Sequence, residues 1–492
     1  MTPPMRTLAV KQPSNLKIYS RIGQYVAPMI IMMIDYLAIT FSVLTAYYLR
    51  GILLPEHFPL LPAFHINSIY VYLIFPFTYL LFLMYEGMYG KRLPFWKNVE
   101  IIFIICTYVS ALTIVVMYFT GKAENVSRIF VVLIWLFSFL YLIFARHVIK
   151  RTLVAGGLWQ KPIIIVGAGK TAEILAKNFE DEPNLGYKIV GLIEDNYAQR
   201  ALTQRYRHIG GFADAERAII DSGVQDVIVA TPGLSREELL ELVYRIQPYV
   251  RNLTIVPNLF GIPLSNMEVE TLFNEKTVML KMRNNMMMLR NRFLKNTFDF
   301  ISSVVGTILI SPILLGIAVA IYISSPGPIV FAHQRIGTKG KVFPCYKFRS
   351  MVANAQEVLE EYLEKNPTAR AEWERDFKLK DDPRVTMVGR FLRKTSLDEL
   401  PQLFNVIKGE MSLVGPRPII DKEIEKYGEY IHDYYLVRPG MTGYWQVGGR
   451  SDVDYDSRVQ MDSWYVRNWS FWQDVVLLLK TVKVVLAGKG AY

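Results

Sequence analysis

Long apolar runs separated by short polar segments dominate the first third of the chain. The runs fall at about residues 25–49, 66–88, 99–119 and 126–144. Each is close to the ~20 residues that an α-helix needs to cross the hydrocarbon core of a bilayer. The first run is longer than the core of a signal peptide and lacks a clear small-residue cleavage site. The pattern therefore predicts a bundle of four transmembrane helices over residues 25–150.

The distribution of lysine and arginine around these runs predicts their orientation. The basic residues between the second and third runs and after the fourth are Lys91, Arg92, Lys97, Arg146, Lys150 and Arg151. The other connections, 50–65 and 120–125, are poor in lysine and arginine. Because cytoplasmic loops carry the excess of positive charge, both ends of the bundle and the N-terminal tail, residues 1–24, are predicted to face the cytoplasm.

Residues 151–280 show a different pattern, in which short β-branched runs alternate with helical ones, as in "PIIIVGAGKTAEILAKNF" and "QDVIVATP". Such alternation predicts a parallel sheet flanked by helices, a Rossmann-like α/β domain. Gly167 and Gly169 follow a strand and open a helix, and Ala172 takes the third position of the dinucleotide fingerprint. These two glycines are candidate nucleotide-binding residues, and a purely structural turn is the alternative.

A fifth apolar run covers residues 300–323 and has basic flanks on both sides. Between Lys281 and Ser350 there are ten Lys or Arg residues and one acid, Asp299. A spanning helix cannot keep two basic flanks on the cytoplasmic side. Ser311 and Pro312 lie at the midpoint, where proline removes a backbone donor and bends a helix. We predict a re-entrant membrane helix hairpin over residues 293–323 that breaks at these two residues; an ordinary fifth span with a proline kink is the alternative.

Composition agrees with a membrane protein of several domains. The 492 residues are 52% apolar and 13% aromatic, more than one soluble core requires. The formal net charge of +11 suits anionic lipids and phosphorylated substrates, and it would suit nucleic acid equally well. The chain has only two cysteines, which excludes a disulfide framework and a cysteine metal site.

Two segments near the C-terminus have simpler interpretations. Residues 355–382 form a charged helical stretch that we expect on a solvated surface. "SFWQDVVLLLKTVKVVLAG" is an amphipathic helix with Trp469 and Trp472 at one end. It could lie in the membrane interface or pack on the preceding domain.

The chemistry of the chain concentrates in "KTSLDELPQLFNVIKGEMSLVGPRP", residues 394–418. Ser396 and Glu399 match a capping box, in which the serine caps a helix and the glutamate reaches back to it. That structural interpretation would also explain Asp398, since carboxylates are favoured in a first helical turn. The surrounding cations, among them Arg393 and Arg417, exceed what one acidic pair requires. We therefore interpret Asp398 as a candidate nucleophile within a phosphate-binding cluster.

Three longer motifs resemble the bacterial sugar transferase domain of the monotopic phosphoglycosyl transferases. They are "KFRSM", "DPRVTMVGRFLRKTSLDELPQLFNVIKGEMSLVGPRP" and "RPGMTGYWQVGGR". The resemblance covers about residues 288–492, and it includes the Ser-Pro-broken membrane helix. One departure is Gly448, where many relatives have Asn. The four preceding apolar runs and the Rossmann-like domain are similar to the large form of this family.

The resemblance implies a mostly α-helical catalytic domain over residues 281–492 and a defined reaction. Asp398 would attack the sugar-bearing phosphate of a UDP-hexose, preferably UDP-galactose, and release UMP. Undecaprenyl phosphate would then take the sugar phosphate from the covalent intermediate, which divides one difficult transfer into two easier ones. Glu399 would be catalytic and would bind Mg²⁺. The implied substrate-binding residues are Lys347, Arg349, Arg393, Arg417 and Arg450.

The resemblance also implies where the protein works and with which partners. We expect a multi-pass protein of the bacterial cytoplasmic (inner) membrane, with the catalytic domain on the cytoplasmic face. The expected partners are membrane lipid, the two substrates and a second copy of the chain in a homodimer, without nucleic acid. The product would be the first lipid-linked sugar of an O-antigen, capsule or exopolysaccharide.

Other functions remain open at this stage. The same reaction with UDP-glucose differs in one hydroxyl configuration of the donor. A membrane-anchored nucleotide-sugar dehydratase or epimerase would use the glycine turn, but residues 151–280 lack a Tyr followed four residues later by Lys. A non-enzymatic assembly regulator would have no reason to place an acidic pair among cations.

Overall fold

The computed structural model describes residues 14–62, 64–119, 127–257, 267–272, 277–282, 284–376, 379, 382–448 and 454–487. The chain forms two compact units, Met1–Leu259 and Phe260–Tyr492. This division falls inside the predicted 151–280 domain, and the predicted domain bounds stay predictions.

The first unit begins with apolar helices, because its sequence has few polar residues to interrupt them. They are α1 (Ser14–Tyr48), α2 (Leu54–His57), α3 (Phe75–Tyr85), α4 (Phe95–Phe119) and α5 (Arg128–Ala155). A π-helical turn, Leu49–Leu53, joins α1 to α2, and another, Tyr70–Ile74, leads into α3. Among the described residues, four helices are long and apolar enough to cross a membrane: Ile22–His57, Phe95–Phe119, Arg128–Ala155 and Leu289–Ser324. The helix over Tyr70–Tyr85 is shorter.

Helices α1, α3, α4 and α5 share one hydrophobic core. Fully buried side chains from each of them meet there, including Ile39, Tyr79, Ile105 and Leu142. The same interior contains an ion pair between Asp35 of α1 and Arg146 of α5, whose closest N–O distance is 2.6 Å. A charge pair between two helices at this depth ties them together in a defined register.

The rest of the first unit is the predicted α/β domain. Its five parallel strands are β1 (Lys161–Val166), β2 (Tyr187–Ile193), β3 (His208–Gly210), β4 (Asp226–Val229) and β5 (Asn252–Ile255), in the order β3-β2-β1-β4-β5. The connecting helices are α6 (Lys170–Asp181), α7 (Leu202–Arg205), α8 (Ala215–Ser222) and α9 (Arg236–Ile246). Successive residues of β1 enter different cores, as expected for a strand buried on both faces. The prediction of a parallel sheet flanked by helices is confirmed.

The second unit contains the long apolar helix α10 (Leu289–Ser324). It continues through Ser311 and Pro312, so these residues do not interrupt the helix. Pro312 cannot donate to the Ile308 carbonyl four residues earlier, and the Ser311 hydroxyl donates to that oxygen instead, at 2.8 Å. The side chains of this region are mostly exposed in the isolated chain, including Ile308 and Ile313. The re-entrant path of this helix stays a prediction.

Both ends of α10 contact other elements of the second unit. Near its start, the Lys295 amine donates to the Val414 carbonyl at 3.0 Å and to Asp474 at 2.6 Å. At its end, the carbonyl of Ser325 accepts from Arg349. The apolar middle of the helix is therefore held at each side by the same unit.

The other elements of the second unit are short. Its strands form three pairs: β6 (Met267–Leu272) with β7 (Thr277–Met282), β8 (Val330–Ile336) with β9 (Val342–Phe348), and β10 (Ser412–Val414) with β11 (Gly440–Thr442). Its later helices are α11 (Ala355–Lys365), α12 (Pro367–Asp376), α13 (Met387–Thr395), α14 (Gln402–Ile407), α15 (Ile424–Tyr427), α16 (Ile431–Leu436), α17 (Tyr444–Gly448), α18 (Tyr455–Arg467) and α19 (Phe471–Ala487). This unit is mostly helical, as predicted.

Helix α19 resolves the choice that its amphipathic pattern left open. Leu477 on its apolar face and the neighbouring Trp469 are buried in the core of the second unit. The Trp469 indole N–H donates to the Asp474 carboxylate at 3.0 Å. The helix therefore packs on its own domain through these residues.

Candidate active site in the second unit

The acidic pair lies in a 3₁₀ turn, Leu397–Glu399, that directly follows α13. Ser396, between the end of α13 and this turn, has a left-handed backbone with φ of 57°, and its side chain makes no capping bond. A helix N-cap requires an extended backbone, so the prediction that Ser396 and Glu399 form a capping box is wrong. Ser396 instead ends α13, with its N–H bonded to the Arg393 carbonyl at 3.2 Å. Asp398 consequently lies in a short 3₁₀ turn that leads through Leu400 and Pro401 into α14, a helix of six residues.

Lys347 of β9 is the one cation among the described residues that lies within 4.0 Å of the acidic pair. Its amine is 2.6 Å from Glu399 Oε1 and 4.0 Å from Asp398 Oδ2. The Asp398 side chain is only 15% exposed, whereas that of Glu399 is 35% exposed. Burial raises the pKa of the Asp398 carboxyl, the charge of Glu399 adds to this effect, and Lys347 and Arg393 oppose it. Lys347 therefore favours the ionised form of a buried carboxylate, the form that a nucleophile requires.

Two further predicted arginines, Arg393 and Arg417, come from different elements. The Arg393 Nε of α13 donates to the Ser350 hydroxyl at 2.9 Å. Arg417 follows β10, is exposed, and lies over the Trp445 ring at 5.8 Å from its centroid. Burial raises the pKa of the neighbouring Cys345 thiol, and the charges of Lys347, Glu399 and Arg417 all act on that pKa. Lys347, Glu399 and Arg417 thus all contribute charge near Cys345 of β9.

Arg349 and Arg450 differ from the other predicted substrate-binding residues. The Arg349 guanidinium donates to Ser325 at the end of α10, and its buried Nε and Nη1 have no hydrogen-bond partner within the described parts of the chain. Arg349 is therefore joined to the end of the membrane helix. Arg450 lies outside the described residues.

The backbone that presents Arg417 is tightly packed. A Cβ on Gly440 of β11 would lie 2.1 Å from the Gly415 backbone nitrogen, so only glycine fits there. The Trp445 ring that follows is flanked by Arg417 and by Arg458, whose guanidinium is 4.7 Å from the ring centroid. Our sequence interpretation did not single out Trp445, although an aromatic pair between glycines, "GYWQVGG", was a usable signal.

The acidic pair offers a limited set of metal ligands. In the described ranges, no group of three or more His, Cys, Asp and Glu side chains could hold a metal ion. Mg²⁺ is commonly bound by one or two carboxylates together with waters and substrate phosphates. The partly exposed carboxylate of Glu399 beside Asp398 fits this mode, because it offers hard oxygen ligands to a Mg²⁺ ion whose other ligands would be waters and substrate phosphates.

The glycine turn of the first unit has an acidic partner. Gly167 has φ of 98°, which favours glycine, and Gly169 directly precedes α6 with open space around it. The Ala168 N–H between them donates to the buried carboxylate of Glu194 at 2.7 Å. A nucleotide phosphate would have to compete for this N–H. We did not single out Glu194, although an acidic residue directly after the second strand is part of the fingerprint.

Comparisons with known proteins identify both parts of the chain. The sequence model of a family described as bacterial sugar transferase matches residues 290–488, which contain the acidic pair and the cations around it. The model of a CoA-binding domain matches residues 85–257, which contain the parallel sheet.

Individual relatives extend this similarity. The chain is 41% identical over 407 residues to the undecaprenyl-phosphate galactose phosphotransferase of Salmonella typhimurium, an alignment that covers 82% of this chain and 84% of the relative. It is 30% identical over 344 residues to the UDP-glucose:undecaprenyl-phosphate glucose-1-phosphate transferase of Escherichia coli, over 68% of this chain and 70% of the relative. A further match is the exopolysaccharide production protein ExoY of Rhizobium meliloti, with 48% identity over 198 residues, 40% of this chain and 88% of the relative.

Proposed function

Because the chain belongs to the bacterial sugar transferase family, we propose that it transfers a hexose 1-phosphate from a UDP-sugar to undecaprenyl phosphate. The products are UMP and undecaprenyl-diphosphate hexose. An enzyme that catalyses this reaction is an undecaprenyl-phosphate hexose phosphotransferase. The observation that carries the proposal is the partly buried carboxylate of Asp398, 4.0 Å from Lys347. The family model that matches residues 290–488 contains Asp398 and the cations named with it, which supports placing the chemistry there.

The donor sugar of this proposal is galactose. The relative with the galactose name is 41% identical, and the one with the glucose name is 30% identical over a shorter part of the chain. UDP-glucose remains the second candidate donor.

The reaction proceeds in two displacements at one phosphorus. An ionised oxygen of Asp398 attacks the phosphorus that carries the sugar, and the bond from this phosphorus to the oxygen of UMP breaks. A phosphate oxygen of undecaprenyl phosphate then attacks the same phosphorus, and the bond to Asp398 breaks and restores the carboxylate. Each step forms and breaks one P–O bond, and neither needs a redox partner.

The residues around Asp398 have separate roles in this scheme. Lys347 holds the carboxylate ionised, and Arg393 and Arg417 receive phosphate oxygens, for which guanidinium groups offer forked donors. Glu399 would hold Mg²⁺, which when bound neutralises charge on the diphosphate. The Glu399 carboxylate also keeps the Lys347 amine beside the nucleophile, through their 2.6 Å contact.

The proposal places the protein in the bacterial inner membrane with the second unit in the cytoplasm. Helices α1, α4 and α5 and the helical segment Tyr70–Tyr85 that contains α3 cross the bilayer, and α10 bends at Pro312 so that it enters one leaflet and returns. Supporting this path, Lys295 and Ser325, on opposite sides of its apolar stretch, both bond to the same unit. The placement brings a water-soluble UDP-sugar and a membrane-bound polyprenyl phosphate to one site. The product would enter O-antigen, capsule or exopolysaccharide synthesis.

The homodimer implied by the family resemblance is proposed on that resemblance alone. Size-exclusion chromatography with light scattering tests it. A detergent-corrected mass of one chain would contradict it.

The deciding experiment combines the purified protein, labelled undecaprenyl phosphate and a panel of UDP-sugars. We expect stoichiometric UMP release with UDP-galactose and a sugar phosphate adduct on Asp398 when the lipid is omitted. Asp398→Asn should lose both UMP release and the adduct, and its thermal stability should be unchanged. Asp421→Asn, at an exposed aspartate of the same unit, is the matched control. Absence of an adduct by intact-mass analysis, together with substantial turnover by Asp398→Asn, would overturn the covalent mechanism.

A further inference from the structure

A cluster of cations in the first unit has no role in the proposed reaction. Lys150 and Arg146 of α5 are each 3% exposed. Arg92, just before α4, lies over the Trp159 ring at 4.5 Å from its centroid, and the Lys150 amine is 5.7 Å from the same centroid. Three cations therefore converge where α4 begins and α5 approaches its end.

The carboxylates in contact with this cluster are already bonded. Asp35 accepts two hydrogen bonds from Arg146, at 2.9 and 2.6 Å. Glu182 accepts from the Phe95 backbone N–H at 2.8 Å. The bonds that the structure gives to Lys150 and Arg92 go to uncharged groups: Lys150 donates to the Asn98 side-chain oxygen at 3.4 Å, and Arg92 donates to two backbone carbonyls. Among the described residues, Asp35 pairs with Arg146, and neither Lys150 nor Arg92 forms a salt bridge, which favours an additional anion because buried charges require a partner.

A small cavity lies at this position. Lys150, Arg146 and His147 from α5 line it together with Asn98 from the first turn of α4 and Asn184 from the α/β domain. Its volume is about 20 Å³, enough for one or two oxygen-sized atoms. The Nη1 of Arg146 is buried and has no hydrogen-bond partner among the described residues. A donor of a side chain that is 97% buried is thus available beside the cavity.

The location of the cavity indicates what kind of anion would bind. It lies between the first turn of one long apolar helix and the last turns of another, at the border with a polar domain. If these helices cross the bilayer, this border is the depth of phospholipid headgroups. The amide N–H groups in the first turn of α4 also favour negative charge. The cavity admits one phosphate oxygen, and the rest of the group would rest on the partly exposed side chains of Asn98 and His147.

We propose that this cavity binds the phosphate of an anionic phospholipid, with Lys150 as its main charged ligand and Arg146 as a second donor. The same chemistry would accept a free phosphate, so the experiment separates the two sources. The site lies within the first unit and does not depend on the proposed sugar phosphate transfer.

The test uses the full-length protein, purified in a neutral detergent and washed free of lipid. Phosphatidylglycerol, diacylglycerol without a phosphate, and inorganic phosphate against chloride at equal ionic strength are added in separate arms. Thermal unfolding and native mass spectrometry report binding. The variants are Lys150→Met and its matched control Arg151→Met, which removes the neighbouring exposed cation. Asn98→Leu fills the cavity without a change of charge and serves as the second variant if Lys150→Met does not fold.

We expect phosphatidylglycerol to bind and stabilise the wild type and Arg151→Met, with about tenfold weaker binding to Lys150→Met, the loss expected for one charge-assisted hydrogen bond. Asn98→Leu should show the same loss. Diacylglycerol should have no effect. If only inorganic phosphate stabilises the protein against thermal unfolding, and Lys150→Met loses this effect, then the site binds phosphate and the proposal that a lipid supplies it is overturned. Equal binding of every phosphate probe by Lys150→Met and Arg151→Met, or no binding by the wild type, would overturn the site.

Discussion

Replacing Lys347 by Met should move the pH dependence of the reaction. The substitution removes the charge that lies 2.6 Å from Glu399 and 4.0 Å from Asp398, and it keeps a side chain of similar length. Two adjacent carboxylates then remain without their nearest cation. The pKa of Asp398, which burial already raises, should rise further, so the ionised nucleophile appears only at higher pH.

The size of this effect follows from the geometry. A unit charge 4.0 Å away contributes ~4 kcal/mol at an effective dielectric constant of ~20. Since one pKa unit corresponds to about 1.4 kcal/mol, the upper limit is about three units. The Lys347 side chain is 31% exposed, so water and salt screen part of this charge. We therefore expect the acidic limb of the pH–rate profile to move upward by roughly one to two pH units.

The assay measures UMP release under kcat/KM conditions for the UDP-sugar, across about pH 5 to 9. Lys341→Met, which removes an exposed lysine just before the same strand, is the control and should keep the wild-type profile. Activity of Lys347→Met should recover partly on the alkaline side, because a higher pH restores the ionised carboxylate. An acidic limb at the wild-type position, with activity lowered equally at every pH, would refute the electrostatic role of Lys347.

Three further predictions concern the metal, the membrane path and the domain core. Chelation with EDTA should stop UMP release and Mg²⁺ should restore it, and Glu399→Gln should weaken the response to Mg²⁺; full activity in EDTA would remove the metal from the reaction. Cysteines introduced at Asn296 and Lys341, both exposed, should react with a membrane-impermeant reagent only from the cytoplasm, and periplasmic labelling of either would exclude the re-entrant path. Lys295→Met should lower the free energy of unfolding of the second unit by about 3–5 kcal/mol in denaturant titrations, because Asp474 loses its buried partner; a loss below about 1 kcal/mol would contradict the importance of this pair.

The apolar pattern predicted the bounds of some long helices better than those of others. Helix α4 contains the whole of the third run, residues 99–119, and begins four residues before it, at Phe95. Helix α5 continues to Ala155, about three turns beyond the predicted run. The difference arises because Arg146 and Lys150, which interrupt the apolar pattern, are buried by contacts with other elements. Partners far along the chain are invisible to a local pattern.

The same limit explains the outcome at the candidate site. Ser396 matched the local signature of a capping box, but its left-handed backbone is set by the end of α13 and by the packing of that helix. The contact between Lys347 and Glu399 joins residues 52 positions apart, and the resemblance of whole motifs predicted their shared site where spacing alone could not. The parallel direction of the strands, in contrast, followed directly from the alternation of strands and helices.

The contact between Lys295 and Asp474 also has a consequence for biosynthesis. The two residues are 179 positions apart, and Asp474 lies in α19. During translation, α10 reaches the membrane while its partner aspartate has not yet been made. During that interval Asp299, on the same helix, is the carboxylate available to the lysine, and the contact with Asp474 can form only after α19 has been made. Synthesis of α19, rather than synthesis of α10, is then the step that completes this contact.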